Sequence, residues 1–285
     1  MVSAGDLLDK KFVALDITST VGHMIGALHK ANDTVTLVYE GKQYIGMIDR
    51  KWLMNSRIDP DKMKLSNILK KRSSNKTQFF VPILSTTSDI KEICRLMSTA
   101  DARALPVADK KGSVLGVVRA IDVINSIKEN YANIPVKELA SLKLVVLKET
   151  DRIDTAVNVM KEENVDRVPI VDSSGAFIGI ATLIDLMNNV HTWASGSEHV
   201  PRAASHTEFK STGYQHGERT NTLKTPVTNI MTPAPRCIVC TPEDTIEDAI
   251  NMMVEHNISS IVLIRKEKPF GILTVKDIMD DFVKA

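Results

Sequence analysis

Four apolar quartets constrain the fold of this chain more than any other feature, because each has the i, i+3, i+4, i+7 spacing of one buried helix face. After each quartet come an apolar run of strand type, a short turn and a second strand that is expected to end at a glycine: Gly46, Gly116, Gly179 or Gly271. The pattern predicts four tandem repeats, each with the order helix, strand, turn, strand, helix. The quartets are Val21, Met24, Ile25 and Leu28; Ile90, Ile93, Cys94 and Met97; Ile153, Ala156, Val157 and Met160; and Ile246, Ala249, Ile250 and Met253.

The seven residues that begin at each glycine differ in their chemistry: GMIDRKW, GVVRAID, GIATLID and GILTVKD. The last two contain a threonine and an aspartate three residues apart, Thr182 with Asp185 and Thr274 with Asp277. This spacing fits a capping box at a helix start. It equally fits a nucleotide site, since a helix N-terminus attracts phosphate and a carboxylate accepts hydrogen bonds from a ribose diol. The preceding glycine and the parallel placement in two repeats favour the nucleotide site.

The heptapeptides of repeats three and four, together with the stretch from Asn229 to Ile264, resemble the adenosine-nucleotide signature of cystathionine-β-synthase (CBS) domains. Four copies without a catalytic domain are similar to the regulatory gamma subunit of AMP-activated protein kinase and to stand-alone microbial relatives. The resemblance implies an α+β fold, in which the repeats pair about pseudo-twofold axes into two modules that form a disc. It also implies a non-catalytic protein that binds an adenosine-containing ligand.

The same resemblance implies further pocket residues around each threonine and aspartate. In repeat four these residues are Thr232, Ile258, Ser259 and Ser260, together with Thr274, Lys276 and Asp277. In repeat three they are Ser141, Val165, Asp166 and Arg167, together with Thr182 and Asp185.

The basic residues and the first two repeats complete this prediction. The resemblance implies that Arg167 and Arg103 reach phosphate groups. In repeat two, Asp122 is retained and Arg119 replaces the hydroxyl residue, which either tunes the site, because arginine is a bidentate phosphate ligand, or abolishes it. In repeat one, Asp49 would repel phosphate and Trp52 replaces the ribose carboxylate, so this site is expected to be empty.

The repeats predict two domains with boundaries at 1–130 and 131–285. The first contains repeats at about 10–55 and 66–127, and the second contains repeats at about 135–190 and 226–285. An inserted loop at about 191–225 holds four histidines, His191, His199, His206 and His216. Their spacing fits no common metal site, which favours a surface loop without a metal.

Composition excludes several other classes of protein. The net charge is +1, with 36 basic and 35 acidic residues, which argues against nucleic acid as a partner. No apolar run is long enough to span a membrane, so we expect a cytoplasmic protein. Cys237 and Cys240 form a C-x-x-C within a predicted strand, where residues three apart point to opposite faces, and this argues against a shared metal or a disulfide.

Functional motifs of enzymes are missing from the sequence: it contains no phosphate loop, no G-x-G-x-x-G, no H-E-x-x-H and no G-x-S-x-G. We therefore expect no catalytic cofactor. The predicted function is the binding of AMP, ADP or ATP, with a signal passed to a protein partner by conformational change. Binding of S-adenosylmethionine and a scaffold role with vestigial pockets are open alternatives, and a homodimer is also open.

Overall fold

The computed structural model describes residues 2–55, 62–74, 81–189 and 222–285. The four histidines of the predicted inserted loop lie outside these ranges, so that prediction stands as it was made. The chain divides into two compact units. The larger unit comprises Met1–Trp52, Pro60–Leu144 and Ile238–Ala285, and the smaller comprises Leu53–Asp59 and Val145–Cys237. The predicted domain boundary at 130/131 remains a prediction.

Each repeat contains a short strand, a helix and an antiparallel pair of strands. Repeat one consists of β1 (Val13–Asp16), α1 (Val21–Ala31), β2 (Val35–Glu40) and β3 (Gln43–Asp49). Helix α2 (Leu65–Ser74) precedes repeat two, which consists of β4 (Leu84–Ser85), α3 (Ile90–Ala100), β5 (Ala104–Ala108), β6 (Val114–Arg119) and α4 (Ala120–Ile127).

Repeats three and four follow the same order. Repeat three consists of β7 (Leu147–Lys148), α5 (Ile153–Glu162), β8 (Arg167–Val171), β9 (Phe177–Thr182) and α6 (Leu183–Asn189). A two-residue strand, β10 (Thr232–Pro233), precedes repeat four, which consists of β11 (Val239–Cys240), α7 (Ile246–Glu255), β12 (Ser260–Arg265), β13 (Lys268–Thr274) and α8 (Val275–Lys284). The predicted mixed α and β architecture is therefore confirmed.

The four sheets share one topology. In each, the short first strand runs parallel to the middle strand, and the third strand runs antiparallel to it. The third strands continue three residues beyond the glycines at which they were expected to end, to Asp49, Arg119, Thr182 and Thr274. These four residues are structurally equivalent, because each pairs with the first residue of the neighbouring strand: Val35, Ala104, Arg167 and Ser260, respectively.

The apolar quartets form the buried helix faces that the sequence predicts. All four quartet residues are buried in α5 and in α7, and only Ile25 and Ile90 of the other two quartets remain partly exposed. Within the larger unit, α3 packs against α8, and α4 packs against α7. The Tyr131 hydroxyl donates to the carbonyl oxygen of Ile278 at 3.2 Å, which adds a polar contact to this helix layer.

Repeat one differs from the prediction at its second helix. A 3₁₀ helix, Arg50–Asn55, stands where an α-helix was expected. The other repeats carry an aspartate at the third helical position, whereas repeat one carries Trp52 there. The Asp49 carboxylate instead accepts from the backbone N–H of Lys51 at 2.8 Å, so the hydrogen bonds that start an α-helix in repeats three and four are replaced here.

A leader, by which we mean the segment that precedes the first strand of a repeat, forms a β-bridge or a strand pair with a different repeat. Leader one bridges Asp9 to Val117 of repeat two, and leader two bridges Lys64 to Thr20 of repeat one. Leader three bridges Ser141 to Ile272 of repeat four. Leader four contributes strand β10 to the sheet of repeat three. Each leader thus contacts a repeat other than the one it precedes. The predicted pairing of the repeats into two modules remains a prediction.

Three of the recurrent glycines make room for these leaders. A Cβ atom on Gly116 would lie 2.3 Å from the carbonyl oxygen of Asp9, one on Gly179 would lie 2.6 Å from that of Thr232, and one on Gly271 would lie 2.9 Å from that of Ser141. A side chain does not fit at such distances. The glycines thus admit a neighbouring backbone.

Candidate functional site

The candidate site of repeat four lies where β13 ends and α8 begins. The Thr274 hydroxyl and the Thr274 N–H donate to Asp277 Oδ2 at 2.7 and 2.8 Å, and the Asp277 N–H donates to the Thr274 hydroxyl oxygen at 3.2 Å. A complete capping box is therefore present. Asp277 Oδ1 has no hydrogen-bond partner among the described residues, so one carboxylate oxygen holds the helix start and the other remains available to accept.

Other predicted residues of this site surround the helix start. Ser260 is buried and pairs with Thr274 across the two strands. The Val275 N–H donates to the carbonyl oxygen of Ser259 at 3.0 Å, while Ile258, immediately before it, is half-buried. Lys276 is exposed on the first turn of α8, where it lies close enough to Asp277 to favour the ionised carboxylate.

The candidate site of repeat three repeats this geometry at the start of α6. Asp185 Oδ2 accepts from the Thr182 hydroxyl at 2.6 Å and from the Thr182 N–H at 2.9 Å, and the Asp185 N–H donates back to the hydroxyl oxygen at 3.2 Å. The Leu183 N–H donates to the carbonyl oxygen of Asp166 at 2.8 Å, which matches the bond to Ser259 in repeat four. Val165 precedes Asp166 and is half-buried.

Both aspartates lie in partly desolvated surroundings. Burial raises the pKa of Asp277 and of Asp185, although the hydrogen bonds from Thr274 and Thr182 lower it. Asp248, which forms a capping box with Thr245 at the start of α7, is exposed by contrast. A cap alone does not require a buried carboxylate, and the burial of Asp185 and Asp277 therefore distinguishes them from the exposed cap of α7.

Arg167 lies inside repeat three, beside the carboxylate that is predicted to bind ribose. It pairs with Thr182 across the strands, and its Nε atom lies 3.8 Å from Asp166 Oδ1. Burial lowers the pKa of Arg167 to about 10, while the charge of Asp185 raises it. The guanidinium therefore places a partly desolvated positive charge next to Asp185. Ser260 stands at the equivalent position of repeat four, so the two candidate sites differ in charge.

The leader exchange changes how two predicted residues are grouped. Thr232 was assigned to the site of repeat four, but it pairs with Ile180 in the sheet of repeat three. Ser141 was assigned to repeat three, but it pairs with Ile272 of repeat four, through hydrogen bonds of 2.9 and 3.0 Å. Both assignments were wrong, because the sequence order of a leader does not show which sheet it crosses. Each candidate site thus combines the threonine and aspartate of one repeat with the leader hydroxyl of the other.

Cys237 lies next to the site of repeat three and not within a strand as predicted, since β11 begins at Val239. Its thiol donates to the carbonyl oxygen of Thr232 at 3.3 Å, and this hydrogen bond spans the 3₁₀ helix Ala234–Arg236. Burial raises the pKa of this thiol, and the nearby charge of Asp185 adds to the effect. Cys94, Cys237 and Cys240 are all free thiols.

In repeat two, the candidate site contains an internal ion cluster. Arg119 forms ion pairs with Asp9 of leader one and with Asp33 of repeat one. Asp122 lies in the first turn of α4, and burial raises its pKa while the charge of Arg119 lowers it. Arg103 is half-buried, and its carbonyl oxygen accepts from the Ala120 N–H at 2.8 Å. The sequence identified the arginines and Asp122 as candidates, but it gave no signal for Asp9 or Asp33.

Repeat one carries buried charges at the position where repeats three and four have a threonine. Asp49 is fully buried, and the adjacent Arg50 is 8% exposed. Burial lowers the pKa of the Arg50 guanidinium, while the charges of Asp49 and Asp33 raise it.

Among the described residues, no cluster of histidine, cysteine, aspartate and glutamate is arranged to bind a metal. None of the helices in the described ranges combines the length and the apolar character needed to cross a bilayer.

Comparison with known proteins identifies the family. The family model described as "CBS domain" matches residues 79–129, 136–192 and 227–284, which together exceed half of the chain. The chain therefore belongs to the CBS-domain family, as the sequence predicts. The matched stretches cover repeats two, three and four, and repeat one shares their strand pairing and glycine position.

Two solved structures resemble the whole chain. One is protein MJ1225 of Methanocaldococcus jannaschii, which has been proposed to be an archaeal homologue of gamma-AMPK. It superimposes with a TM-score of 0.74 at 16% identity, over 99% of this chain and 100% of that one. The other is a conserved protein of Pyrococcus horikoshii, with a TM-score of 0.61 at 18% identity, over 98% of this chain and 99% of that one. At these identities, the likeness establishes the fold.

A curated relative shows more sequence similarity over a shorter stretch. A 33.4 kDa protein of the ribosomal RNA operon of Thermofilum pendens is 28% identical over 200 residues. The match covers 70% of this chain and 60% of the length of that relative.

Proposed function

We propose that the protein is a non-catalytic, cytoplasmic regulator that binds an adenine nucleotide, AMP, ADP or ATP, in repeats three and four and signals to a protein partner. One observation carries this proposal. In both repeats a hydroxyl and a half-buried carboxylate are held together at the first turn of a helix, and a hydroxyl residue of the exchanged leader pairs with the strand two residues before that threonine. The same three polar groups at two equivalent positions suit a ligand that offers a diol and an anionic group.

Each group has a separate role in this proposal. The second oxygen of Asp277 accepts hydrogen bonds from the ribose diol, while Thr274 and the positive end of the α8 dipole face the phosphate. Asp185 and Thr182 hold the equivalent positions in repeat three. A sensor of this kind needs no reaction, since a ligand that prefers one arrangement of the repeats shifts the population toward it.

The description of one structural relative favours a regulatory role. The relationship proposed for MJ1225 is to a subunit of the AMP-activated kinase, and this chain shares its fold over nearly the full length of both. The match to the CBS family model favours a regulatory protein. S-adenosylmethionine is the second candidate ligand, because it presents the same ribose and adenine without a phosphate.

The exchanged leaders provide the test. Ser141→Ala should weaken AMP binding in repeat four, and Thr232→Ala should weaken it in repeat three. Each hydroxyl contributes a neutral hydrogen bond, so we expect a loss of roughly 2- to 10-fold. In double-mutant cycles, Ser141 should couple to Asp277 and Thr232 to Asp185, and calorimetry measures this coupling. Additive effects within each of these two pairs, with AMP still bound, would count against the proposed pockets.

A further inference from the structure

Repeat two differs from repeats three and four at two facing positions at once. At the end of its third strand, Arg119 stands where the other two repeats have a threonine. In the leader that crosses this strand, Asp9 stands where the other two repeats have Thr232 and Ser141, since all three pair with the residue after the glycine. Two hydroxyl residues are thus replaced together by an oppositely charged pair.

The charged pair occupies the region in which repeats three and four are proposed to bind phosphate. Arg119 Nη1 donates to Asp9 Oδ2, and Arg119 Nη2 donates to Asp33 Oδ2 at 2.7 Å and to the carbonyl oxygen of Lys11 at 2.9 Å. The guanidinium therefore already has a carboxylate partner on each of its terminal nitrogens, which are the nitrogens that a bidentate phosphate contact would use.

The two carboxylates differ in how readily a ligand could replace them. The side chain of Asp33 is only 6% exposed, whereas that of Asp9 is 38% exposed. Asp9 is also held by its backbone, through hydrogen bonds of 2.8 and 2.9 Å with Val117. The Asp9 carboxylate can therefore be removed without releasing the leader, while Asp33 must stay to balance the buried charge of Arg119.

We propose that the Asp9 carboxylate acts as an internal substitute for a ligand phosphate and keeps the site of repeat two closed to nucleoside phosphates. This inference rests on the proposed function, because it takes the same class of ligand. In addition, a single leader residue, Asp9, determines how many nucleotides one chain binds. Asp122 remains half-buried at the start of α4 and supplies the carboxylate that a ribose would need once Arg119 is free.

Equilibrium dialysis of the full chain with AMP tests this proposal. The wild-type protein should bind two AMP molecules per chain. Asp9→Asn removes the charge, and Asp9→Ser copies the residue that repeat four carries at this leader position; each should bind one additional AMP. Asp6→Asn is the matched control, since Asp6 is a leader carboxylate whose hydrogen bonds go only to Ser3 among the described residues. It should bind as the wild type does.

A second change assigns the additional AMP to repeat two. Asp122→Ala should abolish it in the Asp9→Ser protein and should leave the two sites of the wild type unchanged. Two AMP molecules in both Asp9 variants, or a wild-type protein that loses one AMP on Asp122→Ala, would overturn the proposal while leaving the proposed function intact. Absence of AMP binding in every protein would overturn the proposed function and this inference with it.

Discussion

Asp277→Asn separates the two roles that the carboxylate has in the structure. Asp277 Oδ2 accepts both donors of Thr274, and Oδ1 is available. The single oxygen of an asparagine can replace Oδ2 in the capping box, and its amide then stands where Oδ1 was. The helix start is therefore kept, while the acceptor that is proposed to bind ribose becomes a donor.

The expected loss of AMP affinity follows from the bonds removed. A hydrogen bond to a charged group contributes roughly 1.5 to 3 kcal/mol, so the loss of one such bond should weaken binding in repeat four by about 10- to 150-fold. Asp277→Ala should weaken binding by a similar factor, and Asp185→Ala should do the same in repeat three. The alanine variant of Asp277 also loses its capping box, which should cost about 1 kcal/mol of folding free energy.

The stability of the asparagine variant has a defined dependence on pH. Burial raises the pKa of Asp277 in the folded state, so the wild type loses stability as pH rises through this folded pKa. The asparagine does not titrate. As pH rises from acid to neutral, the free energy of unfolding of the variant should therefore increase relative to that of the wild type.

Calorimetric titration with AMP and thermal melts at several pH values measure both effects. Asp248→Asn is the matched control, because Asp248 forms an exposed capping box with Thr245. It should not change AMP affinity. If Asp277→Asn kept full affinity for AMP in repeat four, the assignment of Oδ1 to the ligand would be refuted. The capping box would then be the only role of Asp277.

Three further predictions concern the leaders and the arginines. Gly179→Ala should lower the free energy of unfolding by roughly 1 to 3 kcal/mol in urea denaturation, because its Cβ would meet the leader carbonyl. Gly26→Ala, with open space around it, should instead stabilise α1 by about 0.5 to 1 kcal/mol. Equal effects of the two changes would contradict this role of Gly179. Arg119→Met should lower the free energy of unfolding by roughly 2 to 4 kcal/mol, since it leaves a buried carboxylate unpaired. Arg265→Met removes an exposed pair, and it should lower the free energy of unfolding by less than about 1 kcal/mol in the same assay. Arg167→Ala should narrow the difference in affinity between AMP and adenosine, measured by calorimetry, and an unchanged difference would exclude Arg167 as a phosphate ligand.

Local patterns predicted those parts of the fold that depend on neighbours in sequence. The quartet of α7 is buried as its spacing requires, and the threonine and aspartate of repeats three and four do begin helices. The path of the leaders could not be predicted in the same way. Ser141 and Thr232 lie far in sequence from the strands they cross, and either sheet of a pair would accept them. Only the tertiary structure distinguishes the two arrangements.

The charges of repeats one and two show the same limit. Arg119 was recognised as a replacement for threonine, but its partners Asp9 and Asp33 are more than 80 residues away in sequence. A carboxylate in a leader has many exposed equivalents in the sequence, such as Asp6, and nothing local marks it as the partner of a buried guanidinium. The pairing of strands across repeats, which places Asp9 opposite Val117, is what brings these groups together.

Adenosyl-ligand binding by repeats three and four is the central claim, and one calorimetric comparison tests it most directly. Wild-type protein and the Asp185→Ala/Asp277→Ala double variant are titrated with AMP, ADP, ATP, adenosine and S-adenosylmethionine. We predict that the wild type binds an adenylate more tightly than adenosine or S-adenosylmethionine, and that the double variant loses this binding while its melting transition remains cooperative. A wild type that binds none of these compounds, or a folded double variant that binds them as the wild type does, would contradict the account.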